Sequence, residues 1–519
     1  MPTYLTPGVY VEEVQSGARP IEGVGTAVAA FVGFAENGPF HAPTLVTGWD
    51  QYTQLFGGFT EGAYLPHAVY GYFANGGGAA YIVRIGGSAD DASAPAAQGA
   101  KRQDTKAVEP AELGGFLLAA RPGVSGVSVE VADADGENPP EDRFKILVRQ
   151  GDQVAETYEA SARKNVKGYL VSQARASKLI EVTEQRGATQ SRPANQTVAL
   201  ADAPAAPAVP GSGAVSRLDP AEYVGDAGAR TGFGGLETID EITMVAVPDL
   251  MSAYQRGDID AEGVRTVQLA VISHCEQMGD RVAVLDAPPG LSAQQVRAWR
   301  NDEAGYDSRY ATLYYPWVRV FDPAAGRNTV VPPSGHVAGV WARSDVERGV
   351  HKAPANEVIR GAVDLELRLS KGEQDLLNPI GVNCIRAFPG RGIRIWGART
   401  LSSDPAWRYL NVRRLFNYLE ESILLGTQWV VFEPNDDRLW SSIRRNVTAF
   451  LSEEWRQGAL FGRTAEEAFY VKCDRDNNPQ ESIDQGRVIC EIGVAPVKPA
   501  EFVVFRLAQF SDSTSLIDE

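Results

Sequence analysis

The sequence contains little cysteine, little histidine and a shortage of positive charge. Its 519 residues include 4 cysteines and 5 histidines, and 49 Lys and Arg residues stand against 66 Asp and Glu residues, for a formal net charge of -17. The cysteines are far apart and form no CxxC pair, which argues against a disulfide framework or a thiolate zinc site. The negative balance disfavours non-specific binding to nucleic acid, because such binding depends on a positive field.

Long apolar runs are also missing. No window approaches the roughly 20 apolar residues of a membrane span. The first residues, MPTYLTPGVYVEEVQSG, have neither the basic nor the apolar region of a signal peptide. With 44% hydrophobic and 22% charged residues, the composition is that of an ordinary globular chain of several domains. We therefore expect a cytoplasmic protein without direct membrane insertion.

The pattern along the chain predicts an α/β and α+β multidomain protein. Segments rich in Ala, Pro and Gly bracket a β-rich stretch, and after residue 236 short apolar strands alternate with helical periods, which is typical of a parallel sheet. The predicted parts are an N-terminal arm (1–22), an α/β core domain (23–90 and 236–375), an inserted β-rich domain (91–235), a C-terminal α+β domain (376–500), and a final strand and arm (501–519).

Both ends of the chain are expected to be extended arms. β-forming residues there alternate with Pro and Gly or form a short apolar run, and an unpaired strand is a template for pairing with another chain. The predicted pairing residues are Val9, Tyr10, Val11, Val14, Phe502, Val504 and Phe505. Gly17 and Pro20 are predicted to connect the first arm to the body.

Two helices are predicted in the C-terminal domain, each with residues typical of a helix start and a helix end. The first is expected to run from an Asp404 cap and Pro405 to about Leu425, and the second from about Asn435 to Gly458. A polar face is predicted on the first helix, and it is either solvated or an interface with a charged partner. Its members are Arg413, Arg414, Asn417, Glu420 and Glu421.

A catalytic triad is suggested by Ser334, His336 and Asp345, which are close in sequence. Triad residues normally converge from separate loops, and no GxSxG elbow surrounds this serine. Ser334 is better explained as the cap of the helix that follows it. We therefore predict no catalytic residue here.

A calcium loop is suggested by Asp474, Asp476 and Asn478, at positions 1, 3 and 5 of the pattern. Position 6 is Pro479 instead of Gly, and position 12 is Gln485 instead of Glu. A turn between two strands is the better interpretation. Neither a metal site nor a cofactor is predicted anywhere in the chain.

A series of co-linear motifs resembles the contractile tail sheath proteins of bacteriophages, R-type pyocins and extracellular injection systems. The motifs occur in the family's order over residues 1–86 and 236–510. They are TPGVYVEEV, FVGFAENGP, LFGGF, NGGGAAYIVRI, VPPSGHVAGVWAR, APANEVIRGAV, FEPNDDRLWSSIRRNVTAFLSEEWRQGALFG, CDRDNN and PAEFVVFRLAQF. The middle segment, apart from RPGVSGVSVEV, is similar only in position to the variable outer domains that sheaths insert.

The resemblance implies a mechanical role. Hexameric rings of the chain would stack into a helical sleeve around an inner tube, and the sleeve would shorten to drive the tube through a target envelope without a cofactor. The implied partners are the chain itself, the inner tube protein, the baseplate, and terminator or cap proteins. The charged helix face described above would then contact the tube.

Two other functions remain possible from the sequence. The alternation of strands and helices also fits a cytoplasmic α/β enzyme whose inserted domain acts as a lid, although fold does not imply function. A sheath-related baseplate or terminator protein would form rings that do not elongate.

Overall fold

The computed structural model of the protein describes the following residues: 20–86, 111–120, 127–134, 140, 143–150, 153–163, 166, 168–174, 177, 179–184, 192–200 and 218–506. Residues 95–214 form one unit, and residues 1–94 together with 215–519 form a second, larger one. The predicted insertion, 91–235, is therefore too long at its end. Tyr223 and Phe233 are buried in a core of the larger unit.

The first part of the larger unit contains three strands and two helices. They are β1 (Val28–Gly33), β2 (Thr44–Val46), α1 (Trp49–Phe56), α2 (Leu65–Asn75) and β3 (Ala79–Arg84). β1 reads VAAFVG and is buried on both faces, as expected for a central strand of a parallel sheet.

The smaller unit consists mainly of antiparallel strands. Its elements are β4 (Ala111–Leu113), β5 (Phe116–Ala120), β6 (Val127–Asp133), β7 (Arg143–Gln150), β8 (Gln153–Ser161), α3 (Leu170–Ala174), β9 (Ile180–Glu184) and β10 (Thr197–Ala199). One sheet has the order β10-β6-β7-β8 and the other β4-β5-β9. Every second residue of β6, including Val127, Val129 and Val131, is buried, because side chains alternate across a strand.

The chain then returns to the larger unit. The elements are α4 (Pro220–Val224), β11 (Met244–Ala246), α5 (Asp249–Arg256), α6 (Ala261–Met278), β12 (Val282–Asp286), α7 (Ala293–Ala298), β13 (Ala311–Tyr315), β14 (Val318–Asp322), β15 (Arg327–Val331), α8 (Ser334–Arg348), β16 (Ala362–Leu365), α9 (Lys371–Leu377), β17 (Val382–Phe388) and β18 (Gly392–Ile395). β14 pairs with β15 and with β16 in a small 3-stranded sheet.

An 8-stranded sheet organises the core, with the order β18-β17-β13-β12-β11-β1-β3-β2. The strands from β17 to β3 run parallel, and the edge strands β18 and β2 are antiparallel to their neighbours. The hairpin β17-β18 was expected in the C-terminal domain. It belongs to the core sheet instead, so the predicted boundary between 375 and 376 is wrong.

Helices cover both faces of this sheet. Phe31 of β1 packs with α2 and α8 on one face, and Val32 packs with α5 and α6 on the other. α2 and α8 approach closely because glycines face the partner helix; a Cβ on Gly335 would lie 2.3 Å from the Cα of Ala68. The two faces form two separate apolar cores.

The C-terminal part has its own core. It contains α10 (Leu410–Thr427), α11 (Asp437–Arg456), α12 (Ala465–Ala468), β19 (Phe469–Lys472), α13 (Gln480–Asp484) and β20 (Glu491–Val494). α11 lies where it was predicted, but α10 begins at Leu410 and not after Asp404. Asp404 accepts a hydrogen bond from the N–H of Ala406 in a turn, a local arrangement that imitates a helix cap.

Residues 95–214 can be replaced with a short Gly/Ser linker. We expect this replacement to change the free energy of unfolding of the larger unit by no more than about 0.5 kcal/mol. Among the described residues, the apolar core of the smaller unit consists of side chains between Leu113 and Leu200. All 9 tryptophans lie outside this unit, so their fluorescence during urea unfolding reports the larger unit alone. Insoluble protein or a clearly lower midpoint would mean that the two units depend on each other.

Candidate assembly surfaces

The C-terminal segment leaves the body as an exposed apolar run. Residues 501–506 belong to no strand, although a strand was predicted there. The exposed fractions are 75% for Phe502, 67% for Val503, 77% for Val504 and 85% for Phe505. Among the residues that the structure describes, no backbone hydrogen bond pairs 501–506 with another segment, so these residues form no strand. Large apolar side chains so exposed mark an interaction site.

Glu501 fixes the base of this segment. Its carboxylate accepts hydrogen bonds from Nε of Arg399 at 2.8 Å and from an Nη at 2.5 Å, and further bonds come from Asn378 and Tyr409. Burial alone would raise the pKa of Glu501, but the bonds from Arg399 and Asn378 outweigh burial and lower it. The segment therefore departs from a fixed point beside the start of α10.

The N-terminal segment meets the opposite end of α10. Ile21 is buried, and a Cβ added to Gly426 would lie 2.7 Å from its side chain. The N–H of Val24 donates to Oγ of Ser422. Pro20 is exposed. The other predicted arm residues, Val9, Tyr10, Val11, Val14 and Gly17, lie outside the described residues.

β19 and β20 form a sheet of only two strands, so each leaves one edge unpaired within the part of the chain that the structure describes. Tyr470 on β19 is exposed, and so is Phe461, in the segment that precedes α12 and β19. Unpaired edges carry N–H and C=O groups that another strand can bind.

Arg414 is buried, which contradicts the predicted outward polar face of α10. Its side chain is 3% exposed and its guanidinium lies 2.5 Å from the carboxylate of Asp345, which is 4% exposed. It also donates to the carbonyl oxygen of Thr26, and Oγ1 of Thr26 donates to Asp345. The pair joins α10 to α8 and to the segment before β1.

Arg413 is buried as well. Its guanidinium stacks over the rings of Trp407 at 4.5 Å and Tyr310 at 4.7 Å, and it donates to Asn417, which is also buried. Burial lowers the pKa of Arg413. Of the five predicted residues, only Glu420 is exposed, and it pairs with Arg413 at 3.2 Å.

Glu421 is half-buried. Burial and the neighbouring carboxylates of Asp280 and Asp240 raise its pKa. Of the five members of the predicted face, Glu420 and Glu421 are therefore the ones that are not buried.

Ser334, His336 and Asp345 do not form a triad. Ser334 donates from Oγ to the carboxylate of Asp286 at 2.6 Å, and Asp345 pairs with Arg414. His336 is buried, with its Nδ1 unpartnered, against Gly71 of α2. Burial lowers the pKa of His336 to about 4, so the ring is neutral at pH 7.

Asp474, Asp476 and Asn478 lie in a turn, as predicted. Oδ1 of Asp474 accepts from the N–H of Asp476, and the side chain of Asn478 bonds to Asp474 and Ile489. Across the described ranges, from 20–86 to 218–506, no cluster of three or more His, Cys, Asp or Glu residues could hold a metal ion. No helix in that part of the chain is long and apolar enough to cross a membrane.

Two buried carboxylates follow core strands, and sequence analysis missed both. Asp286 ends β12 and accepts from the N–H and the hydroxyl of Ser334, at the start of α8. Asp249 follows β11 and accepts from the N–H groups of Phe34 and Leu65. Burial raises the pKa of Asp286 to about 7 and that of Asp249 to about 6, despite these bonds. An Asp directly after a buried apolar run was the available signal.

These carboxylates are expected to make the folded protein less stable as pH rises from 5 to 7. Each folded pKa lies above its unfolded value, so folding takes up protons in this range, and one group contributes a loss of up to about 1.4 kcal/mol per pH unit. Asp286→Asn should reduce this slope in urea unfolding, while Asp302→Asn, at an exposed position, should keep it. Equal slopes in wild type and Asp286→Asn would contradict the assignment.

Two protein-family models match consecutive parts of this chain. Residues 235–401 match the model for the phage tail sheath protein central domain, and residues 402–510 match that for the phage tail sheath C-terminal domain. The junction of the two models lies between β18 and α10, where the structure separates the core sheet from the C-terminal helices.

Individual relatives agree with the family models. The chain is 24% identical over 519 residues to the tail sheath protein of Burkholderia phage BcepMu, covering 96% of this chain and 95% of that one. It is 26% identical over 310 residues to the tail sheath protein of Vibrio phage KVP40, and this match spans 55% of the chain but only 45% of the relative. The cryo-EM structure of the anti-feeding prophage helical sheath in its contracted state is 25% identical, with a TM-score of 0.58, covering 98% of this chain and 100% of that chain.

Proposed function

Because this chain belongs to the phage tail sheath protein family, we propose that it is the subunit of a contractile sleeve around an inner tube. Copies of the chain stack as hexameric rings in a helix, and the helix shortens to drive the tube through a target envelope. The other partners are the inner tube protein, the baseplate and the terminator proteins. Assembly takes place in the bacterial cytoplasm. The role is mechanical and requires neither an active site nor a cofactor.

The observation that carries this proposal is the exposed run from Phe502 to Phe505 beyond the anchored Glu501. In the sleeve, this run pairs with a strand edge of a neighbouring copy, and the two-stranded sheet of β19 and β20 offers such an edge. Pairing gives the backbone N–H and C=O groups of both chains hydrogen-bond partners, and it buries the exposed apolar side chains.

The two arms are anchored at opposite ends of one rigid element. Glu501 contacts Tyr409 beside the start of α10, and Ile21 packs on Gly426 near its end. At about 1.5 Å per residue, a helix of this length separates the two anchors by roughly 25 Å. Load on one arm therefore passes along α10 to the other arm. This arrangement lets subunits move as bodies during contraction while they stay joined.

Arg413 and Arg414 are buried, so they cannot form the proposed contact with the inner tube. Glu420 and Glu421 remain candidates for it, because their carboxylates lie near the surface of α10. The tube surface opposite them would need a positive charge, and the contact would weaken as salt screens it.

Val504→Pro is expected to abolish elongated assemblies while leaving the subunit folded. Proline removes one backbone donor of the proposed ladder, whereas Val504 is 77% exposed and belongs to none of the apolar cores of the described residues. Val504→Thr is the matched control, since it keeps both the donor and the β-branched shape. Electron microscopy measures filament length and urea unfolding measures stability. Filaments of normal length from Val504→Pro would remove this segment from the assembly contact.

A further inference from the structure

Two cysteines face each other at one end of the hairpin β19-β20. Lys472 pairs with Glu491 as the last register pair of the two strands, so Cys473 and Cys490 occupy the next opposed positions. Opposed residues of an antiparallel pair have Cα atoms about 4.5–5.5 Å apart, within the range of about 4.4–6.8 Å that a disulfide spans.

The loop between the two cysteines holds them in register. Asn478 is buried, and its amide donates to the carbonyl oxygens of Asp474 and Ile489 at 3.0 Å and 2.9 Å. The N–H of Ile489 donates back to Oδ1 of Asn478 at 2.6 Å. These bonds join the residues next to Cys473 and Cys490, so little further ordering is needed to bring the sulfurs together.

The two cysteines differ in solvent exposure and in the pKa of the thiol. Cys490 is half-buried, so a small disulfide can reach its sulfur, whereas Cys473 is buried. The neighbouring Cys490 thiol lowers the pKa of Cys473, and Arg444, which donates to the carbonyl oxygen of Cys473 at 3.1 Å, acts in the same direction. Cys473 in turn raises the pKa of Cys490, so the order of reaction follows from the exposure of Cys490. The thiolate is the form that attacks a disulfide.

The other two cysteines lack these features. Cys275 and Cys384 are fully buried in the core sheet region. Burial raises the pKa of both thiols, to about 12 for Cys384. They are therefore internal controls for any reaction at the hairpin.

We propose that Cys473 and Cys490 form an intramolecular disulfide when the protein meets a low-molecular-weight disulfide such as oxidised glutathione. Cys490 first exchanges with the small disulfide, giving a mixed disulfide and one reduced glutathione. The thiolate of Cys473 then attacks the sulfur of Cys490 and expels the second glutathione as a thiolate, which takes up a proton. The protein loses two thiol protons and two electrons, and one oxidised glutathione becomes two reduced ones.

The bond would convert the hairpin into a redox-sensitive element. It closes the loop from residue 474 to 489 covalently and prevents the two strands from separating at this end. We expect the amide protons of Phe469–Lys472 and Glu491–Val494 to exchange at least about tenfold more slowly after oxidation.

The test uses the full chain, folded, with and without oxidised glutathione, followed by alkylation of free thiols and peptide mapping. The expected result is a linked pair of peptides containing Cys473 and Cys490, with Cys275 and Cys384 still free once the chain is unfolded. A stable glutathione on wild-type Cys490, or free thiols at both positions after the incubation, would overturn the proposal.

Two variants separate the two steps. Cys473→Ser should retain one glutathione on Cys490, because the attacking sulfur is gone. Cys490→Ser should retain none on Cys473, because that sulfur is buried. A glutathione on Cys473 in the second variant would overturn the proposed order of attack. The linked peptides of the wild-type chain decide the main point even if a variant fails to fold.

Discussion

Arg414→Met is expected to destabilise the isolated chain by about 3–5 kcal/mol, because it leaves the buried carboxylate of Asp345 without its charged partner. The loss includes the hydrogen bond from Arg414 to the carbonyl oxygen of Thr26. These contacts connect α10 with the core, so the cost falls on the junction between the core sheet and the C-terminal helices. Urea unfolding of the subunit measures it, with no tube or second subunit present.

The matched control for this replacement is Arg456→Met. Arg456 forms an exposed pair with Glu453 at 3.5 Å near the end of α11, and exposed pairs contribute about 0–1 kcal/mol. Combining Arg414→Met with Asp345→Asn should recover part of the loss, since no buried charge is then left unpaired. A loss for Arg414→Met as small as the control's would show that the arginine is not buried as the structure places it.

Gly339→Val is expected to cost about 3 kcal/mol or more and to prevent α2 and α8 from packing. A Cβ at this position would lie 2.4 Å from the carbonyl oxygen of Tyr72 and 2.8 Å from the Cβ of Asn75. The first of these atoms belongs to helix backbone and cannot move away without shifting α2. Because α2 also packs against β1, the damage should reach the central sheet.

A glycine in open space provides the comparison. Gly372 lies in α9, and a Cβ there would meet nothing within 4 Å. Gly372→Ala should stabilise the chain by about 0.5–1 kcal/mol, because alanine loses less backbone freedom than glycine in a helix. Thermal unfolding of the two variants should therefore shift in opposite directions. A mild effect of Gly339→Val, similar in size to that of Gly372→Ala, would contradict the close helix contact.

Local sequence patterns correctly predicted those elements that are specified by a cap and by the spacing of apolar residues within the element itself. α11 lies as predicted because Asp436 caps it, and because Leu439, Ile443 and Val447 repeat at helical spacing. The family resemblance was equally accessible from the sequence, since it depends on the order of short motifs. The start of α10 was mispredicted because Asp404 and Pro405 give the same local signal in a turn as at a helix start.

The sequence by itself determined the type and order of most elements, the parallel strand-helix alternation and the family, because periodicity and motif order are local properties. Only the tertiary structure decided which charges are buried, which strands join the core sheet and which side chains meet. Arg414 donates to Thr26, 388 residues away in sequence, and Arg399 donates to Glu501 across 102 residues. Burial and ion pairing depend on segments that approach only after folding, so an arginine of the interior and one of the surface look alike in sequence.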